Sequence, residues 1–385
     1  MPFAVGVPRE TAPGETRVAL TPDVAQRLVR KGCAVRVEAG AGEAASFPDA
    51  DYEAAGCAVG ARGEALAADL VATVQGLDAD ALGSLTPGAL VVGFLRPLDD
   101  PAGIERLVQS GTTAVAMELV PRITRAQKMD ALSAMSTVAG YKAVLLAADA
   151  LPRFFPLLTT AAGTVKPARV LVLGAGVAGL QALATARRLG AVTAAYDIRA
   201  AAREQVESVG AAFVELTLET GDAEDQRGYA KALAEDQQAR QIALLGEHVA
   251  EHDVVITTAL IPGRPAPRLI EREGVEGMKP GSVVIDLAAP NGGNCAVTQP
   301  GERVLHDGVQ VLGPLNLPAQ MPFHASQMYA RTVTALVLDY LTDDGFTLDL
   351  DDDILKEAVV THNGAIHNER VRAKMEGEAQ GSVSG

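Results

Sequence analysis

The chain has 385 residues, 48% of them hydrophobic, which is enough apolar material for two packed domains. Its formal net charge of −15 argues against a nucleic-acid groove, and no segment offers about eighteen uninterrupted apolar residues for a membrane span. The opening MPFAVGVPRE lacks the regions of a signal peptide, and the three cysteines, Cys33, Cys57 and Cys295, are scattered without metal-ligand spacing, so inert thiols in a reducing cytoplasm are expected and no metal.

Taken in order, Phe3 to Val7 predicts a short strand, followed by the polar loop PRETAPGETRVALTP. Thr21 can cap a helix from Pro22 to Lys31, with proline at its first position. Strands are predicted at Ala34 to Glu38, Leu70 to Val74, Ala89 to Leu95 and Thr113 to Glu118, with a short helix at Asp49 to Ala55. Gly40-Ala-Gly42-Glu-Ala-Ala45 imitates a phosphate-binding loop, but it follows the second strand and no helix starts at once, so no phosphate is assigned to it. In the stretch from Pro121 to Ala150, Gln127, Asp130 and Ser133 recur every three residues and would fall near one helix face. By composition alone this is a solvated face, on a helix that beyond Val138 links two domains.

The densest information lies between Arg169 and Asp197. An apolar strand (Val170 to Leu173) runs into Gly174, Gly176 and Gly179, spaced G-x-G-x-x-G. A helix follows from Ala178 to Leu189, closed by Gly190, and a second apolar run from Ala191 to Tyr196 ends in Asp197. Gly174 permits the tight turn, Gly176 lets the backbone approach a pyrophosphate, and Gly179 lets the helix pack close to its strand. The helix N-terminus, Val177 and Ala178, offers N–H donors and the positive end of its dipole. Asp197, with Ile198 behind it, can accept both hydroxyls of an adenosine ribose and repels a 2′-phosphate, which selects NAD(H). Arg199 is read as lying along the adenine or as solvated.

Beyond this unit, Ala200 to Val209 predicts a helix and Ala212 to Leu216 a strand. Residues 217 to 240 are acidic and polar around Tyr229, either a solvated helix or a loop that orders over the nucleotide. Strands at Asp253 to Thr258 and Val283 to Leu287 place Thr258, Ala259, Leu260 and Gly292-Gly-Asn294 at strand C-termini, where open α/β sheets bind ligands. A strand at Gln310 to Leu312 and a helix from Pro322 to Leu341 follow, and the tail from Met375 has a disordered composition. His248 and His252, four apart, and His362 and His367 read as helix-end and surface histidines. The fold class is therefore α/β: two Rossmann-like domains, each a parallel sheet flanked by helices, with a cleft between them. The expected division is 1–137 with 320–373, then 138–319, with 374–385 as a flexible tail.

The segments PRET, TRVALTP, RAQKMDALS, VLGAGVAGLQA, TTALIPGRPAP, MKPGSVVIDLA and GGN together resemble the soluble NAD(H)-binding alpha subunit of proton-translocating transhydrogenase and its relative alanine dehydrogenase. The resemblance covers nearly the whole chain. In alanine dehydrogenases a lysine and a histidine serve the amino-acid substrate; here Gln75 and Arg96 stand at those places, while Arg17, which both relatives carry, remains. Without a proton acceptor, amino-acid oxidation is disfavoured.

Direct hydride transfer between two nicotinamides needs no such group, only positioning and exclusion of water. The resemblance implies Arg122 at the nicotinamide end of NADH, Asp130 and Ser133 on the carboxamide, and Gln127 reaching toward NADP(H) on a partner chain. It implies Tyr229 on a loop closing over the nucleotide, and Thr258, Ala259 and Leu260 lining the adenosine. It further implies a homodimer attached to the cytoplasmic face of a membrane through partner subunits, and A-to-B, Si-specific transfer with little activity alone. An alanine dehydrogenase or a non-catalytic NADH-binding module are the alternatives. Relatives carry an acidic residue before Gly-Gly-Asn where this chain has Pro290-Asn291.

Overall fold

The computed structural model describes residues 2–216 and 235–383. It divides into two compact units, Met1–Met135 with Pro318–Gly385, and Ser136–Leu317.

In the first unit the apolar runs form an eight-stranded sheet. Its order is Ala365–Ile366, Val359–His362, Thr113–Ala116, Leu90–Phe94, Leu70–Gln75, Ala4–Val7, Ala34–Glu38 and Ala58–Gly60. Neighbours from Thr113–Ala116 to Ala58–Gly60 are parallel, as βαβ connections require. The last two strands of the chain add an antiparallel edge, turned back on itself at Asn363 (φ 50°) and Gly364 (φ 72°). Strands such as Thr113–Ala116 are buried at every residue because helices cover both faces. The helix Pro22–Arg30 starts as expected, but the Thr21 hydroxyl bonds Asp23 Oδ1 (2.6 Å) instead of capping the helix amides.

The second unit is a seven-stranded sheet, ordered Ala212–Phe213, Val192–Tyr196, Arg169–Leu173, Val254–Thr257, Val283–Asp286, Val309–Leu312 and Arg303–His306. All but the last strand are parallel. The period-two alternation sends Val170, Val172, Ile256 and Ile285 into one core and Leu171, Leu173, Val255 and Val284 into another, one on each face. From Arg169–Leu173 the chain builds outward in one direction, then returns to add Val254–Thr257 on the other side. That reversal is a topological switch point, which opens a crevice at the strand C-termini.

Three expectations change. The strand predicted to Leu216 ends at Phe213. The long helix begins at Ala131, well before Val138, because Asp130 caps it: the Asp130 carboxylate accepts the Ser133 backbone N–H at 2.8 Å. Finally, 374–383 is helical, not an unstructured tail. The helix Glu369–Val383 is rich in Glu, Ala, Lys and Met, strong helix formers, and anchors through buried Val371 and Met375.

The helix Ala131–Ala150 is long and apolar enough, by composition, to cross a bilayer. Its apolar residues are otherwise engaged. Ala143, Val144 and Ala147 are core residues, and a Cβ on Gly140 would lie 2.1 Å from the Ala178 carbonyl oxygen. Gly140 thus lets this helix touch the first turn of Val177–Arg188.

Candidate functional site

The glycine loop joins Arg169–Leu173 to the helix Val177–Arg188. Gly174 sits at φ 103°, which only glycine adopts without strain. A Cβ on Gly179 would fall 1.9 Å from the Gly174 carbonyl oxygen, so the helix could not close on its strand with any larger residue. A Cβ on Gly176 would meet nothing, so at this point the loop backbone faces open space. No side chain caps the helix at Gly176. Its first N–H groups therefore point, with the dipole, into that space. This is the shape and charge that a pyrophosphate needs, and the residues present fit a dinucleotide.

Thr258, beyond the next strand over, reaches the same loop: its Oγ1 donates to the Gly174 carbonyl at 2.8 Å, and its N–H to Leu173 O at 2.9 Å. Ala259 follows it, half-buried, and Leu260 is 43% exposed. Thr258 and Ala259 are thus brought against the glycine loop at the switch point.

Asp197 is 8% exposed at the end of Val192–Tyr196. Its Oδ2 accepts the Ala175 N–H (2.8 Å) and its Oδ1 the Arg199 N–H (2.9 Å). The Arg199 guanidinium closes on both oxygens, Nε on Oδ1 and Nη2 on Oδ2, each at 2.9 Å. Arg199 is therefore chelated by Asp197, neither solvated nor free along an adenine. Ile198 is half-buried beside them. Tyr229 lies outside the described residues.

Two residues that motif reading passed over organise the opposite wall. Asp286, fully buried at the end of its strand, accepts from Thr257 Oγ1, Ala288 N, Asn294 N, Cys295 N and Thr298 Oγ1 at 2.7–3.1 Å. This spends the carboxylate on holding the Gly-Gly-Asn turn. Asn294, also buried, then clamps the loop after Thr258: Nδ2 donates to Ala259 O (2.9 Å) and Pro267 O (2.7 Å), and Oδ1 accepts Ala259 N–H (3.1 Å). The sequence carried a signal for both, a strand ending in Asp and a Gly-Gly-Asn at a strand terminus, without saying what they grip. The Pro290-Asn291 departure is accommodated in a 3-10 turn, Ala289–Asn291, before Gly292 (φ 95°) and Gly293 (φ 79°).

In the first unit, Gln127 lies in the 3-10 helix Thr124–Met129, which ends just before the α-helix that Asp130 caps. The three polar residues therefore do not share one α-helical face, as their spacing predicted. At three residues per turn, positions three apart eclipse, and the segment has three ridges. Ala126 and Met129 are buried at 0% exposure. Arg125 pairs with Asp352 (2.5 Å) and Lys128 with Asp339. Thr124 and Gln127 form the remaining, exposed ridge, which leads to Asp130. Asp130 Oδ2 accepts the Ser133 hydroxyl at 2.6 Å, so those two side chains are brought together. Arg122 is exposed, just after Pro121.

Arg17 and Gln75 meet on Glu15. Arg17 donates through Nε to Oε1 (2.7 Å) and through Nη2 to Oε2 (2.6 Å), and Gln75 Nε2 adds a bond to Oε2 (2.9 Å). Burial alone would raise the Glu15 carboxyl, but Arg17 and Gln75 bring it down to about 2. Nearby Glu10 accepts the Val74 and Gln75 N–H groups and is pushed up to about 7 by burial. Arg96 sits in the left-handed region (φ 52°) and donates its N–H to Glu118 (2.5 Å).

The imitation loop at Gly40 is internally satisfied, since the Asp49 carboxylate takes the Gly40 N–H at 2.9 and 3.1 Å. His362 is held by Thr113 Oγ1 (2.9 Å), and His252 Nδ1 bonds the His248 carbonyl (2.6 Å).

Residues 6–139 match the family description "Alanine dehydrogenase/PNT, N-terminal domain" and 143–369 "Alanine dehydrogenase/PNT, C-terminal domain". The chain belongs to the alanine dehydrogenase/PNT family. Within this family it is 45% identical over 374 residues to an NAD(P) transhydrogenase subunit alpha chain of Rhodospirillum rubrum, covering 94% of this chain and 97% of that one. It is 44% identical over 368 residues to NAD(P) transhydrogenase subunit alpha of Cereibacter sphaeroides, covering 94% of this chain and 70% of the relative. Alanine dehydrogenase of Mycobacterium tuberculosis is 32% identical over 384 residues, with 95% of each covered. Among solved structures, the transhydrogenase from Sinorhizobium meliloti superposes with a TM-score of 0.85 at 42% identity, over 94% of this chain and 99% of that one. An L-alanine dehydrogenase gives 0.82 at 26% identity, over 97% and 99%. The α/β, Rossmann-like class, the transhydrogenase-type oxidoreductase relationship and a nucleotide-binding role follow from this membership together with the glycine loop.

Proposed function

We propose that the chain is the NAD(H)-binding component of a proton-translocating transhydrogenase, handing hydride to NADP+ held on a partner subunit. The observation that carries this reading is the state of Arg17. An amino-acid dehydrogenase needs a cation to hold the substrate carboxylate, and Glu15 already takes two guanidinium donors of Arg17 within 2.7 Å. Gln75, which could not act as a base in any case, is spent on the same carboxylate. Amino-acid turnover therefore has neither its cation nor its proton acceptor, whereas hydride exchange requires neither. The greater likeness to transhydrogenase alpha chains than to alanine dehydrogenases supports the same choice.

NADH, when bound, supplies the hydride from C4 of its dihydronicotinamide. The chain's own work is orientation and exclusion of water. The glycine loop and the uncapped helix hold the pyrophosphate, Asp197 the adenosine ribose, and Thr258, Ala259 and Leu260 the adenosine side. Asp130 keeps acceptor capacity for a carboxamide N–H while its bond to Ser133 fixes its angle, and Arg122 holds the nicotinamide end. Gln127 stands on the exposed ridge and reaches for the second nucleotide. Proton movement and the NADP(H) site belong to membrane-bound partner subunits, on whose cytoplasmic side the chain docks as a homodimer. Transfer is of the A-to-B, Si-specific type, and the chain alone turns over slowly.

The deciding experiment mixes the chain with an NADP-binding transhydrogenase component and follows hydride exchange between nucleotide analogues. Gln127→Asn should slow exchange while leaving NADH affinity within about twofold. Absence of exchange with the unmodified chain, or brisk alanine-dependent NAD+ reduction, would overturn the reading.

A further inference from the structure

An ionised carboxylate offers about four acceptor directions. At Asp197 four donors use them: the N–H groups of Ala175 and Arg199, and the Nε and Nη2 of Arg199. The first two come from the backbone and cannot leave without unmaking the glycine loop or the turn after the strand. The last two come from one side chain, which is 21% exposed against 6% for the Asp197 side chain. They occupy one position on each oxygen. A ribose diol brings two hydroxyl donors and needs that same pair of positions.

We propose that Arg199 and the adenosine ribose compete for Asp197, so that Arg199 is a specificity-determining residue of the nucleotide site. The proposal deepens the reading that Asp197 is the ribose acceptor, and rests on it. The guanidinium acts in two directions. With a free 2′,3′-diol it must swing off the carboxylate before the hydroxyls can bind, so part of the binding energy is used to break the pair. With a 2′-phosphate it supplies a cation beside a carboxylate that would otherwise repel the ligand, and so tempers the exclusion of the phosphorylated nucleotide. Selection of NADH over NADPH is then set by the Asp197–Arg199 couple rather than by the acid alone. The two backbone donors keep the carboxylate aimed whichever partner it holds.

The test is a set of titrations with the full chain, using 5′-AMP, NADH and 2′,5′-ADP as ligands. For a half-buried ion pair, Arg199→Ala should tighten 5′-AMP and NADH by about three- to fivefold. It should weaken 2′,5′-ADP. A general disturbance of the loop would move all three ligands in the same direction, and opposite movement is the signature of competition. Arg199→Gln, which keeps the bulk and loses the charge, should reproduce both shifts and guards against a folding defect in the alanine variant. Unchanged or weaker binding of 5′-AMP in both variants overturns the proposal. Asp197→Ala separates this from the underlying reading. If it leaves NADH binding unaltered, the ribose contact itself is wrong. If it weakens NADH while the Arg199 variants do not tighten it, only the competition is wrong.

Discussion

Replacing Asn294 by alanine tests whether the clamp on the switch-point loop holds the nucleotide wall. The side chain makes three hydrogen bonds, to Ala259 O, Pro267 O and Ala259 N, at 2.7–3.1 Å. At about 1 kcal/mol each they amount to ~3 kcal/mol, and more if the stranded groups stay dry. Ala259 and Pro267 are only half-buried, which gives the loop a second response. It can lift and hydrate its freed groups, recovering part of the stability and surrendering the alignment of Thr258 and Ala259 against Gly174. The expected outcome is thus a stability loss of ~2–3 kcal/mol in urea, together with NADH binding weakened by roughly tenfold or more as the wall loosens. Equilibrium denaturation and NADH fluorescence titration on the same preparation measure both. Should Asn294→Ala leave the midpoint and the affinity both within error of the parent, the clamp has no energetic role and the account of this wall is wrong.

Two more outcomes follow from the first unit. Glu10 has a folded-state pKa near 7 against 4.5, so its contribution to stability is complete below about 4.5 and is lost as the pH rises through 7. Glu118, likewise raised to about 7 by burial, acts with the same sign. Glu10→Gln should remove about 1.4 kcal/mol per pH unit from the slope of stability between these limits; urea midpoints at several pH values measure it, and an unaltered slope counts against the buried carboxyl. The pairs Arg125–Asp352 and Lys128–Asp339 brace the Gln127 ridge yet are largely solvent-facing, and such pairs are worth below ~1 kcal/mol. Lys128→Met or Asp339→Asn should accordingly leave the melting temperature almost unmoved, keep NADH affinity and slow hydride exchange several-fold; an unchanged exchange rate refutes the brace.

Much of the second unit was legible because its signals are local. The glycine spacing, the apolar run before it and the acid after the second strand each act within a few residues, and their meaning is fixed by backbone sterics at Gly174 and Gly179. The RAQKMD segment was legible in composition and not in geometry. A repeat of three fits one face of an α-helix loosely and a 3-10 helix tightly, and only the Asp130 cap shows where one gives way to the other. The helix at the C-terminus was hidden because its polar residues outnumber its anchors, and Val371 is stabilised by strands far away in sequence.

Sequence by itself determined that a strand, a glycine turn, a helix and an acid stand in the order a dinucleotide needs, because those elements are made by short-range chemistry. The tertiary structure alone decided which side chains are already engaged. Arg17 is bound to Glu15, Arg199 to Asp197, and Asp286 and Asn294 to the loops around them. Whether a charged group is available depends on what the fold places within three ångströms of it. For Asp286 and Asn294 most of those neighbours come from other strands and loops, so their engagement is a property of the packed molecule and cannot be read along the chain.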